Sequence, residues 1–396
     1  DALAGHWIAP GPSGSPYRGR DDVLPTGRNL FTTDPRSVPT RAAYAQGQRL
    51  AAELIRRHLQ DYGDWPRAMV VDLWGSATMR TAGEDFAMAL ALIGARPFWD
   101  KGSERVSGIE IIPIAEMAHP RIDVTLRVSG LFRDVFPTLS ALFQQAISAL
   151  AARDESPDFN PYVTDAGARV FGPAPGNFGL GMGAVLTDYT EDARAQAGAA
   201  WLTASAWALD GDKAVDDMDG LRARVATAQA FVHGQDLPET DLLLAEDYAN
   251  HEAGFAAAQA LTGGQAALYH LDNTDPARPR ARSLPEEIAR VVMARAAHPG
   301  WIAGMRRHGF RGGAEIAATL ENMAAFAHLA GVVGSHLFDQ FYQATLGDPD
   351  TLAFMEQANP QALAAMRARF TELDAAGLWQ TRRNSVRAAM EGHNVA

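Results

Sequence analysis

Between Arg41 and Arg153 the apolar residues switch repeatedly between a helical and an extended period, and that alternation leaves few folds open. Helical spacing from Arg41 to Tyr62 ends at Gly63. Met69 to Leu73 then reads as a strand, Gly83 to Ile93 as a helix, Gly108 to Pro113 and Ile122 to Val128 as strands, and Leu131 to Arg153 as a helix. Strands interleaved with helices give an α/β fold with a parallel sheet, because a crossover helix must cover each face. In such sheets ligands bind beyond the carboxyl ends of the strands. Two of these strands run there into polar or Gly-rich turns, Leu73-Trp74-Gly75-Ser76-Ala77-Thr78-Met79-Arg80 and Val128-Ser129-Gly130-Leu131-Phe132-Arg133-Asp134.

The flanking segments differ in character. His6 to Thr40 is rich in Gly, Pro, Arg and Asp without an apolar period and reads as an extended strap. After residue 155 come Ala-rich helical stretches, at about 192–209, 217–232, 241–261, 285–297, 313–330, 336–346 and 361–376, separated by Gly/Pro loops. The expected organisation is a strap over 1–40, a parallel-sheet β-α-β domain over 41–155, and a mostly α-helical domain with Gly-rich loops over 156–396. The 396 residues exceed one ordinary core, and 47% apolar residues suffice to fill two or three.

Composition excludes several functions. There are 35 basic against 47 acidic residues and no basic run, so nucleic acid, which needs a positive surface to displace counterions, is not an expected partner. The longest uncharged stretches, Val170 to Thr187 and Asn322 to Phe338, are shorter than the roughly 20 apolar residues that cross a bilayer, and no membrane partner is expected. Cysteine is absent, which removes disulfides and thiolate metal sites and fits a cytoplasmic protein. The two lysines, Lys101 and Lys213, are followed by Gly and Ala, so neither belongs to a Gly-Lys-Ser/Thr phosphate loop.

Without cysteine, a transition-metal site needs imidazole and carboxylate ligands, which suit Co2+ and Zn2+. The densest candidates are Phe231-Val232-His233-Gly234-Gln235-Asp236 and Glu246-Asp247-Tyr248-Ala249-Asn250-His251-Glu252. On a regular helix Asp247 and His251, and Tyr248 and Glu252, are i,i+4 neighbours able to hold a metal or move protons, although a solvated helix face has the same pattern. The loop Met305-Arg306-Arg307-His308-Gly309-Phe310-Arg311 places arginines and a histidine before a helix, where carboxylates can be gripped. Gly172 to Gly183 lacks the spacing of a dinucleotide loop, and no Gly-x-Ser-x-Gly elbow occurs.

The segment Leu24-Pro25-Thr26-Gly27-Arg28-Asn29-Leu30-Phe31-Thr32-Thr33-Asp34-Pro35-Arg36-Ser37-Val38-Pro39-Thr40 closely resembles the large chelatase subunits. These are the large subunit of the cobaltochelatase of aerobic cobalamin synthesis and its relative, the large subunit of magnesium chelatase. The likeness continues through Leu73-Trp74-Gly75, Ser129-Gly130-Leu131-Phe132-Arg133-Asp134, His298-Pro299-Gly300-Trp301, Met305-Arg306-Arg307-His308-Gly309-Phe310 and Gly377-Leu378-Trp379. The His233-Gly234-Gln235-Asp236 and His251-Glu252-Ala253-Gly254 stretches look more like the cobalt enzyme. Members are typically three times longer, and the likeness is to their C-terminal third.

That resemblance implies insertion of Co2+, the substrate metal, into hydrogenobyrinic acid a,c-diamide. An AAA+ ATPase subunit and its companion subunit would hydrolyse ATP, with its Mg2+, away from this chain. Implied roles are metal handling or proton acceptance for Glu252 and Asp236, auxiliary ligation for His251 and His233, a further base at His308, a carboxylate clamp at Arg307, and cavity-wall positions for Arg28, Arg133 and Asp134. Two alternatives stay open: Mg2+ insertion into protoporphyrin IX, and a docking segment that binds neither ring nor metal tightly.

Overall fold

A computed structural model of the chain describes residues 2–12, 14, 16, 21–25, 27–31 and 34–393. Thr26, Thr32 and Thr33 of the strap motif lie outside them. The strands, in chain order, are β1 (Gly11–Pro12), β2 (Asn29–Phe31), β3 (Ala68–Leu73), β4 (Ala95–Trp99), β5 (Val106–Ile111), β6 (Asp123–Val128), β7 (Val170–Gly172), β8 (Trp207–Asp210), β9 (Lys213–Asp216), β10 (Ala230–Gln235), β11 (Ala267–Asp272) and β12 (Arg280–Ser283). The helices are α1 (Arg41–Tyr62), α2 (Gly75–Thr81), α3 (Glu84–Ile93), α4 (Gly130–Val135), α5 (Pro137–Ala151), α6 (Glu191–Thr203), α7 (Met218–Thr227), α8 (Glu246–Tyr248), α9 (Gly254–Thr262), α10 (Leu284–Val291), α11 (Pro299–Arg306), α12 (Gly309–Ala330), α13 (Ser335–Ala344), α14 (Pro349–Ala358), α15 (Pro360–Ala375) and α16 (Asn384–His393).

The chain forms two compact units, and both take up sequence from before and after residue 200. The first comprises residues 1–179, 202–236 and 264–281; the second comprises 180–201, 237–263 and 282–396. The boundary expected near residue 155 is therefore corrected, because the sheet draws strands from the half read as helical.

That sheet has the order β12-β11-β10-β3-β6-β7-β8-β9. The pairs from β11 through β7 are parallel, and β7–β8 and β8–β9 are antiparallel. Its central strands are buried on both faces, which is why Met69, Val70, Val71, Val124, Leu126 and Val232 form nearly continuous apolar runs. Helix α1 starts at Thr40, whose hydroxyl accepts the Ala43 N–H, and ends at Gly63 in the left-handed conformation. Its buried stripe includes Gly47, Leu50, Leu54 and Ile55 and packs on α3, which is apolar on nearly every side and correspondingly enclosed. The helix expected from Leu131 to Arg153 is broken in two at Phe136-Pro137, and the strand expected at 108–113 leaves the main sheet to pair antiparallel with β4.

In the second unit the long helix α12 is the axis. Ile316, Leu320, Met323 and Phe326 bury its inner face, and α9, α11, α14 and α15 pack around it. Tyr342, Phe370 and Trp379 close one side of the bundle, with ring centroids 4.9 to 5.8 Å apart. No helix among the described residues is long and apolar enough to cross a membrane.

Candidate functional site

In the first unit the parallel register lines up four polar residues in one row near the carboxyl ends of adjacent strands. His270 of β11 is level with His233 of β10, His233 with Asp72 of β3, and Asp72 with Arg127 of β6. Residues level in adjacent strands present their side chains to the same face. All four are at most 2% exposed. Charged and imidazole groups persist at such depth only when bonded, and these are. Asp72 Oδ2 accepts the Trp74 indole N–H at 2.8 Å and lies 2.9 Å from His233 Nδ1. Asp72 Oδ1 accepts from Arg127 at 3.2 Å, and Arg127 Nε donates to Ser205 Oγ at 3.1 Å. His270 Nε2 lies 2.8 Å from Gln235 Oε1.

More carboxylates gather at the same strand ends. Asp236, the residue after β10, takes two bonds from Arg80 at the end of α2, both 2.8 Å. Glu84 accepts from Asn273, which in turn accepts from Gln46 at 3.0 Å. Asp85 approaches the backbone of β10 because residue 234 is glycine: a Cβ there would stand 2.7 Å from Asp85 Oδ1.

The turns after β3 and β6 are tied together. Ser129 Oγ accepts the Gly75 N–H at 3.0 Å and the Phe132 N–H at 3.2 Å, so one hydroxyl joins both helix starts. Arg133, expected as a cavity-wall residue for substrate, is turned instead to the chain itself. It donates to the carbonyls of Pro173, Ala174 and Asn177, pairs with Asp134, and stacks against Phe178 at 5.4 Å. Its guanidinium holds the Gly-rich loop, and Asp134, half exposed, holds the guanidinium. Arg28 is exposed, and its carbonyl accepts the Gly11 N–H where β2 pairs with β1.

In the second unit His251 and Glu252 are buried, contrary to the solvated-face pattern. They lie in a π-helical turn, Ala249–Ala253, in which the Gly254 N–H reaches back to the Ala249 carbonyl. The regular i,i+4 spacing expected for Asp247 with His251 and Tyr248 with Glu252 is thereby corrected, since the inserted residue shifts the following side chains round the axis. The Trp201 indole donates to the His251 carbonyl at 3.2 Å, bonding an oxygen in the distorted turn. Such turns recur at functional sites because they re-aim side chains at some cost in helix regularity.

His308 is the residue before α12, exposed, and lines a cavity of about 300 Å³ with Leu244, Trp301, Met305, Arg311, Gly312 and Glu315. Arg311 is paired with Glu315 at 2.7 Å, and Arg307 is exposed, with a long bond of 3.4 Å to the Ala303 carbonyl. Among the described residues no three His, Asp or Glu side chains stand together as a metal-holding group. The expected ligands His233, His251 and Glu252 are thus not assembled round a metal, and His233 is bonded to Asp72.

Sequence reasoning found His233 and Asp236 but not Asp72, Arg127, Ser205 or His270. Their signal was a single polar residue near the end of an otherwise apolar strand, as in Met69-Val70-Val71-Asp72-Leu73 and Val124-Thr125-Leu126-Arg127-Val128.

The family model for CobN/magnesium chelatase matches residues 1–386. The aerobic cobaltochelatase subunit CobN of a Sinorhizobium species is 44% identical over 100% of the chain, and that of Pseudomonas aeruginosa 42% identical over 96%. The corresponding large subunit of the magnesium chelatase of Cereibacter sphaeroides is 26% identical over 99% of the chain. The catalytic subunit of cobaltochelatase from Mycobacterium tuberculosis superposes with a TM-score of 0.89 at 35% identity, covering 100% of this chain and 35% of that one. The chain spans about a third of the length of the curated relatives it matches, 33% and 32% of the two CobN subunits. Both the extent of the match and the shared fold place the chain in the CobN/magnesium chelatase family.

Proposed function

We propose that the chain is the C-terminal third of the tetrapyrrole-binding large subunit of an ATP-dependent cobaltochelatase. In this reading the whole subunit inserts Co2+ into hydrogenobyrinic acid a,c-diamide in the cytoplasm. An AAA+ ATPase subunit and its companion hydrolyse ATP, with Mg2+, to drive the cycle. The observation that carries cobalt over magnesium is the contrast between 42–44% identity to the cobalt subunits and 26% to the magnesium-chelatase relative.

Insertion requires three tasks: stripping water from Co2+, clamping the ring, and accepting the proton that a ring nitrogen loses as the metal enters. Carboxylate and imidazole suit the first and third tasks, arginine the second. Asp236 and His233 in the first unit, and Glu252 and His251 in the second, are assigned to metal and proton handling. His308 is a further base, and Arg307, exposed beside it, is free in geometry to meet a ring carboxylate. Arg28 and Asp134 line the ring's approach, while Arg133 acts there through the loop it holds.

The test is absorbance titration of the chain with hydrogenobyrinic acid a,c-diamide, with protoporphyrin IX as control, followed by Co2+ insertion by the complete enzyme carrying Glu252→Gln. Saturable corrin-selective binding and loss of insertion without unfolding are expected. Preference for protoporphyrin IX would turn the reading to magnesium. If neither ring binds while the ATPase partners do, the chain is a docking segment.

A further inference from the structure

We infer that Asp72 is a positioning residue for cobalt insertion: it fixes the ring of His233 and sets which imidazole nitrogen carries the proton. The inference rests on the reading of His233 as a group that meets the metal or the ring proton. Its ground is the bonding round one carboxylate. Asp72 lies one residue before the end of β3, level with His233 of β10. Its two oxygens meet the Trp74 indole, the Arg127 guanidinium and His233 Nδ1 at 2.8, 3.2 and 2.9 Å. Indole and guanidinium can only donate. With a buried guanidinium at that distance the carboxyl is held ionised, and an ionised carboxylate can only accept. The proton between Asp72 and His233 therefore belongs to Nδ1. In the neutral ring the lone pair is then on Nε2, the atom able to take a proton or a transition-metal ion.

Orientation is fixed as well. The Trp74 ring stands edge-on to His233 at 4.5 Å, and the His270 ring lies 6.3 Å away on the neighbouring strand. Rotation about the His233 side-chain bonds would break the Asp72 bond and collide with these rings. A carboxylate behind a histidine also makes the far nitrogen a better base and ligand. Trp74 and Arg127 act one step further out, by holding Asp72.

Two measurements test this. In nitrogen-15 histidine spectra of the chain, assigned with His233→Gln, neutral His233 should be protonated on Nδ1, and Asp72→Asn should shift it toward the Nε2–H form. In the complete enzyme Asp72→Asn should lower Co2+ insertion by about 10- to 100-fold, as loss of the partner behind a metal-binding histidine typically does. A wild-type His233 protonated on Nε2, or unchanged insertion in Asp72→Asn, would overturn the inference. Should Asp72→Asn fail to fold because Arg127 loses its counter-charge, the wild-type tautomer still decides. Trp74→Phe, which keeps an aromatic ring and deletes one donor, should then slow insertion with the fold intact, and an unchanged rate would count against the arrangement. If the Nδ1–H form is found but His233→Gln inserts cobalt at the wild-type rate, the geometry stands and the underlying assignment of His233 fails.

Discussion

Arg80 grips Asp236 with two parallel bonds, Nε to one carboxylate oxygen and Nη2 to the other, both 2.8 Å long. The pair joins the end of α2 to the residue that follows β10, so it braces two of the loops at the carboxyl edge of the sheet. It also occupies the carboxylate proposed to handle metal, which must exchange this partner for Co2+ during a cycle.

The Asp236 side chain is 8% exposed and that of Arg80 35%, so the pair is only partly shielded from solvent. A charge-assisted pair of this kind contributes about 1–3 kcal/mol, toward the lower end because solvent reaches the guanidinium. Arg80→Ala and Asp236→Ala should each lower stability by that order, and the double variant by less than their sum. Urea unfolding of the four proteins gives the coupling. A coupling of zero would mean that the two side chains do not bond in solution.

The α/β character and the first half of the sheet were legible because β3, β6, α1 and α3 each carry an undisguised period and clear stops such as Gly63 and Gly94. The strands β10 and β11 were not. Ala230-Phe231-Val232-His233 and Ala267-Leu268-Tyr269-His270 are short apolar runs buried in the sheet, and such runs carry no period that separates strand from helix. Missing them displaced the unit boundary and hid the polar row, since His233 becomes a neighbour of Asp72 only when β10 pairs with β3. His251 and Glu252 were picked out by residue type, but their burial depends on the π-helical turn and the packing round α12, which local spacing does not encode.

The contact between α1 and α3 leads to a prediction about stability. Gly47 stands where the helices approach most closely: a Cβ there would lie 2.5 Å from the Met88 nitrogen and 2.6 Å from Ala87 atoms. Backbone cannot step aside as a flexible side chain can, so Gly47→Ala should cost about 3 kcal/mol, the upper part of the usual range for overpacking. Gly63 is the opposite case, with open space round it but φ at +75°. Gly63→Ala should cost about 1 kcal/mol, from the left-handed backbone alone. Denaturant midpoints should fall in that order, and equal midpoints would mean that α1 and α3 are not held at this spacing.

Three buried or half-buried histidines set a pH window for stability. Burial is the largest cause that lowers the pKa of His58, His119 and His328 below the usual 6.5, with Arg194 adding to it at His328 and Arg121 at His119. Each group binds its proton more readily unfolded than folded. Above pH 6.5 both states are neutral and the full stability is present; as pH falls through 6.5 and on to the lower folded value, the unfolded state protonates first and stability is lost. The carboxylates of Asp34 and Glu155, held low by Arg36 and Arg121, make their own contribution only in more acid solution, below the ordinary 3.8 and 4.5. The interval between about pH 7.5 and 5.5 therefore isolates the histidines. Thermal unfolding across it should shift downward as pH falls, and His58→Gln or His328→Gln, which cannot titrate, should flatten the dependence. Flattening by His328→Gln should appear in the transition of the α12 unit, and a slope unaffected by either substitution would show that these rings are not kept neutral by burial.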